Sequence, residues 1–146
     1  MGFLTRTLGP LSLLASLAAA TDFHVTVGKN GQLRFDPEEI TAHPGDTVTY
    51  NYFAAVGNFS LSVNQPPVNL LMTKKQNHSV TESSFEEPCQ PINNAIFSGF
   101  VPTASPDVAS PTTFTIKIKD DKPIWIYCSQ VNGNHCQNGM VHAINA

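Results

Sequence analysis

Apolar and polar residues alternate in short runs along most of the chain, which is the pattern of half-buried β-strands. The clearest runs lie at 23–27, 47–53, 114–119, 124–128 and 140–144, with weaker ones at 33–35 and near Ile40, separated by Pro37. Turn signals at 43–46 and 120–123 separate neighbouring runs, and no stretch has a convincing amphipathic helical period. The pattern predicts an all-β single domain folded as an antiparallel sandwich or barrel.

Two stretches do not read as strands. Residues 86–109 are rich in proline, asparagine and serine, which predicts a long ordered loop. Residues 56–76 are polar, contain Pro66-Pro67, and separate the strand at 47–53 from the segment 77–80. Trp125 lies within a predicted strand and is interpreted as a packing residue.

The first 20 residues have the features of a secretory signal peptide. Arg6 precedes an apolar run at 8–17, and Ala18 to Ala20 supply the small residues that a signal peptidase requires. A membrane anchor is the alternative, but this run is far shorter than the ~20 residues that span a bilayer. We expect cleavage after Ala20, a domain at 21–146, no membrane span, and secretion to the extracellular space or cell wall.

The charge of the chain argues against some classes of partner, and its number of cysteines points to a bound metal. The formal net charge is −3 at pH 7, and no basic stripe is present, which argues against nucleic acid and anionic membranes as partners. The chain has three cysteines, and disulfides in a secreted protein use them in pairs. One thiol is therefore left over, and a soft metal is a good candidate to occupy it.

The segment 128–140 carries three metal donors on one predicted loop: Cys128, His135 and Met140. His78, from a distant predicted strand, supplies a second imidazole. A thiolate, two imidazoles and a weak axial thioether describe a blue-copper site. The alternatives are a buried structural thiol at Cys128, core packing at Met140 and a surface loop residue at His135.

Three other histidines have no partner donors at ligand spacing and are interpreted as structural or exposed: His24, His43 and His142.

Several short stretches resemble the cupredoxins, and most closely the extracellular phytocyanin-like proteins of fungi. They fall in the family's order over nearly the whole of 21–146, and the combination is specific although each stretch alone is weak. The resemblance implies a Greek-key β-sandwich, one copper ion per chain held by His78, Cys128, His135 and Met140, and a disulfide between Cys89 and Cys136. The stretches are 35–37, 40–42, 45–48, 77–81, 84–85, 88–89, 98–100, 123–125, 127–128, 135–136, 139–141 and 143–145.

The chain departs from that family in two places. The spacing between Cys128 and His135 is longer than in plastocyanins, although fungal members also have longer loops. Family members usually run from the strand almost directly into the segment at Asn77, so 56–76 is an insert. It is either a surface loop, in which Asn58 begins a glycosylation motif, or an unspliced intron, since its first and last codons permit GT and CAG. Transcript reads across these codons test the intron hypothesis.

The resemblance predicts a secreted electron carrier rather than a catalyst, acting as a monomer with a redox partner that the sequence does not identify. His135 is the natural exit for electrons if its ring edge lies at the surface. An alternative is a cell-wall or cell-surface interaction module without a redox role. A copper oxidoreductase is the third reading, but polysaccharide monooxygenases use an N-terminal histidine, and His24 lies inside the predicted start at Thr21.

Overall fold

The computed structural model describes residues 19–54, 76–104 and 107–146. The predicted signal peptide lies almost wholly outside these ranges, as do Asn58 and nearly all of the predicted insert. The all-β prediction is confirmed, because the described residues form strands and one short 3-10 helix, Lys29–Gly31. None of the described residues forms a helix long and apolar enough to cross a bilayer. The strands are β1 Asp22–Val27, β2 Phe35–Asp36, β3 Glu39–Ile40, β4 Thr47–Tyr52, β5 Gln76–His78, β6 Thr81–Ser83, β7 Val101–Thr103, β8 Thr113–Lys117, β9 Ile124–Tyr127 and β10 Val141–Ile144.

Two four-stranded sheets make up the sandwich. The first has the order β2-β1-β4-β8 and the second the order β3-β10-β9-β6. Most strand pairs are antiparallel, as in the predicted sandwich, but the pairs β1–β4 and β3–β10 are parallel. The chain leaves the first sheet after β2, adds β3 to the second sheet and returns as β4, so β4 lies beside β1 in the same direction.

The core lies between the two sheets and follows the alternation of each strand. Along β4, Val48, Tyr50 and Tyr52 are fully buried, while the residues between them are partly exposed. Ile126 and Ile144 face them from the second sheet and are also buried. Burial of each such aliphatic side chain stabilises the fold by about 1.5–3 kcal/mol, which gives the sandwich the rigidity on which a preformed site depends.

A separate two-stranded ladder pairs β5 with β7. The prediction of a continuous loop over 86–109 is therefore wrong at Val101–Thr103. Val101 and Thr103 are buried and Pro102 between them is exposed, which is a strand alternation too short to stand out beside a proline. Gln76, the last residue of the predicted insert, begins β5. This ladder matters because β5 ends at His78.

Trp125 lies in β9 but on the outer face of the second sheet, not in the core. It is partly exposed and its ring lies 5.0 Å from that of Phe85, which is 68% exposed. It is a packing residue, as interpreted, but it packs against Phe85 on the outer face of the sheet and forms part of a surface.

Candidate metal centre

Three of the four predicted donors meet in one buried cluster. The Cys128 Sγ atom lies 3.4 Å from His135 Nδ1 and 3.9 Å from His78 Nδ1. The donor atoms of the three residues all lie within 4.8 Å of one another, and the two imidazole centroids are 4.9 Å apart. Among the residues that the structure describes, no other set of three His, Cys, Asp or Glu side chains converges in this way.

The donors come from two separate parts of the fold. His78 ends β5, Cys128 follows the last residue of β9, and Met140 directly precedes β10. The loop between β9 and β10 folds back on itself, because the Cys128 amide donates to the Met140 carbonyl at 3.1 Å and the Met140 amide donates to the His135 carbonyl at 3.0 Å. Met140 is fully buried next to Cys128 in the hydrophobic core.

Hydroxyl groups join the two ligand-bearing segments behind the cluster. The Ser79 Oγ atom lies 2.8 Å from Ser129 Oγ and 3.0 Å from Thr81 Oγ1, and the Ser129 amide donates to Ser79 Oγ at 2.9 Å. The Ser79 amide also donates to Cys128 Sγ at 3.4 Å. Sequence reasoning missed these serines, although each directly follows a predicted ligand.

Gly28 contacts the other side of the His78 ring. A Cβ atom at position 28 would lie 2.5 Å from His78 Nε2 and 2.7 Å from the Phe53 carbonyl oxygen. The residue has a φ of +78°, a conformation in which glycine carries no steric penalty. It brings the backbone against the imidazole and fixes the position of the ring, and no pattern in the sequence signalled this contact.

Burial controls the charge of the donors. It lowers the pKa of His78 to about 3, with a smaller contribution from the neighbouring His135. Burial also lowers the pKa of His135 and raises that of the Cys128 thiol, although the Ser79 amide acts in the opposite direction on the thiol. The metal-free site at neutral pH therefore holds two neutral imidazoles, which is the form that binds metals, and a protonated thiol.

The His135 ring is almost completely buried, with 1% of the residue exposed. The condition attached to His135 as the electron exit, that its ring edge lies at the surface, is therefore not met. Gly133 lies over this ring, since a Cβ atom at position 133 would be 3.4 Å from His135 Cδ2. Val131, in the same loop, is 83% exposed.

A disulfide between Cys89 and Cys136 lies next to the cluster, with an S–S distance of 2.03 Å. Its pairing is the one that the family resemblance implied. Cys136 directly follows His135, so the bond ties the ligand loop to the segment after β6. Cys128 remains the free thiol and is buried.

The three other histidines lie away from the cluster. The side chains of His24 and His43 are 64% and 79% exposed, and each lies 3.5 Å from a carboxylate oxygen, of Asp22 and Asp121 respectively. His142 is 2% exposed, and its Nδ1 atom lies 3.1 Å from the Pro37 carbonyl oxygen. These placements agree with structural or exposed roles.

Similar proteins are found both by sequence and by structure. No protein-family profile matches the chain. It is 37% identical to an "Extracellular serine-rich protein" and 33% identical to a "Probable GPI-anchored cupredoxin-1", both from Arthroderma benhamiae. Each alignment covers 90% of this chain but only 42% and 55% of the relative, so the chain spans about half the length of these relatives.

Among solved structures, auracyanin A, a "blue" copper protein from Chloroflexus aurantiacus, matches with a TM-score of 0.51. The identity is 14%, and the match covers 86% of this chain and 98% of auracyanin A. Reduced auracyanin from Roseiflexus castenholzii has a TM-score of 0.50 at 14% identity, covering 87% and 97% of the two chains. The chain has the cupredoxin fold and a cupredoxin among its fungal relatives. At these identities the structural likeness shows the cupredoxin fold alone.

The cluster of candidate donors fits a soft or borderline metal. Donor separations of 3.4 and 3.9 Å suit nitrogen and sulfur ligands that lie about 2.0–2.3 Å from a shared centre. Two imidazoles and one thiolate are the equatorial set of blue-copper sites, in which the fourth ligand is a distant thioether. The Nε2 atoms of both His78 and His135 have no hydrogen-bond partner among the residues that the structure describes.

Proposed function

We propose that this chain is a mononuclear type 1 copper protein that transfers single electrons outside the cell. The observation that carries the proposal is the convergence of His78 Nδ1, Cys128 Sγ and His135 Nδ1 in one buried cluster. Bound copper would supply the Cu(I)/Cu(II) couple. The disulfide uses the other two cysteines and leaves Cys128 available as the thiolate ligand.

The role of the protein in this proposal is to hold the donors still. His78 is fixed by Gly28 on one side, and Cys128 is fixed by the amide of Ser79 and by the backbone of Met140. A framework that resists movement of the donors limits the reorganisation that accompanies a change of oxidation state, which favours rapid electron transfer.

Met140 is proposed as the weak axial ligand. Its side chain is fully buried, and its backbone is hydrogen-bonded to both loop ligands. A thioether is a soft donor, so it favours Cu(I) and a higher reduction potential than a harder oxygen donor in the same position.

Extracellular location is supported by the names of the two fungal relatives, one extracellular and one GPI-anchored. The same names favour a second candidate function, a cell-surface interaction module that keeps the fold without a redox role. Copper saturation of protein secreted by its native host, together with an identified redox partner, separates the two. Full loading supports electron transfer, whereas metal-free protein favours the interaction module.

The test of the copper site is the visible absorption spectrum of the copper-loaded protein. We expect an intense thiolate-to-Cu(II) band that is lost in Cys128→Ser and kept in His142→Phe, which removes a buried histidine outside the cluster. A colourless protein with bound, oxidised copper would contradict the proposed ligands. Loss of the band in both variants would show that the band depends on the intact fold and not specifically on Cys128.

A further inference from the structure

A groove of about 340 Å³ runs across the outer face of the second sheet. Trp125 lies in it, with Phe85, Pro88 and Val141 along its apolar part. In the sheet register Trp125 is opposite Ala143, whereas Ile126 and His142, the next residues along, are buried in the core. None of the residues that line the groove is a candidate metal ligand.

Large apolar side chains in this groove remain accessible. Phe85 is 68% exposed and Val141 is 40% exposed, and the Phe85 ring lies against Trp125 at a tilt of 48°. The two rings form one aromatic surface open to solvent.

Two carboxylates line this surface and two more are its neighbours in the sequence. Glu38 and Glu39 line the groove, and Glu86 and Glu87 directly follow Phe85 along the chain, all four being exposed. Arg34 offsets one of them, because its Nη2 atom lies 3.5 Å from Glu38 Oε1. Among the described residues, no cation lies within ion-pair distance of the other three.

We propose that this groove binds a lysine or arginine side chain presented by a partner polypeptide. The apolar stem of such a side chain fits along Phe85, Pro88 and Val141, as long cationic side chains cover apolar surface while their charged ends stay in water. The cation then lies against the Trp125 ring and within the field of Glu38 and Glu39. Tryptophan is the best aromatic partner for a cation.

The charges decide between this ligand and others of similar size. A purely apolar segment would lie beside the unpaired Glu39 carboxylate and lower its exposure to water without compensating its charge. A neutral sugar would stack on the aromatic rings, but it has no positive charge that the exposed carboxylates could attract. The proposal does not depend on copper and adds a binding surface to the proposed electron carrier.

The experiment uses Trp125 as its own reporter, since it is the one tryptophan in the sequence. Purified Zn²⁺-loaded protein is titrated with acetylated, amidated trilysine, and binding is followed by tryptophan fluorescence and by ¹H–¹⁵N chemical shifts. We expect saturable changes at Trp125, Phe85 and Val141. Binding weakens as ionic strength rises from about 0.01 M to about 0.15 M, because the Debye length falls from about 30 Å to about 8 Å. Matched controls are triglutamate and a chitin trisaccharide, for which no such changes are expected.

Substitutions measure separately how much a carboxylate and an aromatic ring contribute to the binding of trilysine. Glu39→Gln should raise the dissociation constant of trilysine about twofold to fivefold, as expected for one exposed ion pair. Asp121→Asn removes one exposed carboxylate outside the groove and should leave the constant unchanged. Phe85→Ala should weaken binding at least as much as Glu39→Gln while the core amide shifts stay in place.

Three results would overturn the proposal: no saturable binding of trilysine, equal effects of Glu39→Gln and Asp121→Asn, or preferential binding of the chitin trisaccharide. The last result would assign the groove to a neutral glycan.

Discussion

Gly28 and the His78 ring lie closer together than any side chain at position 28 would permit. Gly28→Ala should lower the free energy of unfolding by about 2–4 kcal/mol, since it combines a left-handed backbone with a clash against the ring and the Phe53 carbonyl. Gly99 has a φ of +73° with no atom near its ideal Cβ position, so Gly99→Ala carries the backbone strain alone. Urea unfolding of both variants, with Zn²⁺ affinity measured alongside, checks this prediction. Equal losses in the two variants would mean that the contact with His78 contributes nothing.

His142 gives the protein a pH-dependent stability that is separate from the metal centre. Burial lowers its pKa from an ordinary value of 6.5 to about 4. Between these values the unfolded state binds a proton that the folded state does not, so stability is present above pH 6.5 and falls as the pH drops towards 4. The loss attributable to this group is on the order of 3 kcal/mol.

His142→Phe keeps a ring beside Phe35 and Tyr50 but cannot titrate. The difference in unfolding free energy between pH 7 and pH 4 should therefore be smaller in this variant than in the parent protein, as measured by urea unfolding. His78 and His135 are present in both proteins, so their contribution cancels. A pH profile in His142→Phe that matches the parent would contradict the prediction.

Sequence reasoning selected three side chains that converge in the structure, but it did not find the residues that support them. His78, Cys128 and His135 were chosen by donor chemistry and family resemblance, and the structure brings them together. The supports Gly28 and Ser79 were missed because their roles arise from a contact with a distant residue. The place of Trp125 on the outer face was not predicted, because strand periodicity does not show which face of a sheet is covered.

At the level of elements, the disulfide closes a loop across 47 positions and joins the ligand loop to the segment after β6. The double substitution Cys89→Ala and Cys136→Ala should lower the free energy of unfolding by about 2–4 kcal/mol, because the unfolded chain gains freedom when the closure is removed. Denaturant unfolding of oxidised parent and variant measures this. Reduced parent protein is the control and should approach the stability of the variant. A variant as stable as the oxidised parent would show that the closure is energetically irrelevant.

Strands in which apolar and polar residues alternate over a long run were predicted well. The sequence did not predict which strands pair with one another. The buried positions of β4 follow from its sequence, since every second residue is apolar or aromatic. β7 was missed because three residues with a central proline give no periodic signal. The parallel pairing of β1 with β4 depends on the crossing of β3 to the other sheet, which is a property of the whole topology.

For the whole molecule, the candidate donors connect parts of the fold that are otherwise separate. His78 belongs to the β5–β7 ladder, whereas Cys128 directly follows β9 of the second sheet. Metal binding should therefore stabilise the entire domain. At a free Zn²⁺ concentration 1,000 times the dissociation constant, the gain is about 4 kcal/mol.

Thermal unfolding with and without Zn²⁺, which has no redox chemistry, measures this gain. The shift in midpoint should disappear in His78→Ala and persist in His24→Ala, which removes an exposed histidine. An equal shift in His78→Ala would mean that the metal binds elsewhere.

The three cysteines also set an order of events during synthesis. Cys89 leaves the ribosome first and Cys128 second, so the first two thiols to meet an oxidising environment are not the pair that the structure joins. A bond between Cys89 and Cys128 would use up the ligand thiolate and leave Cys136 unpaired. The native bond therefore requires either that oxidation waits for the last cysteine or that a disulfide isomerase corrects the early mistake. Under the proposed function, correct pairing of Cys89 with Cys136 therefore has to precede copper binding, because only that pairing leaves the Cys128 thiol free.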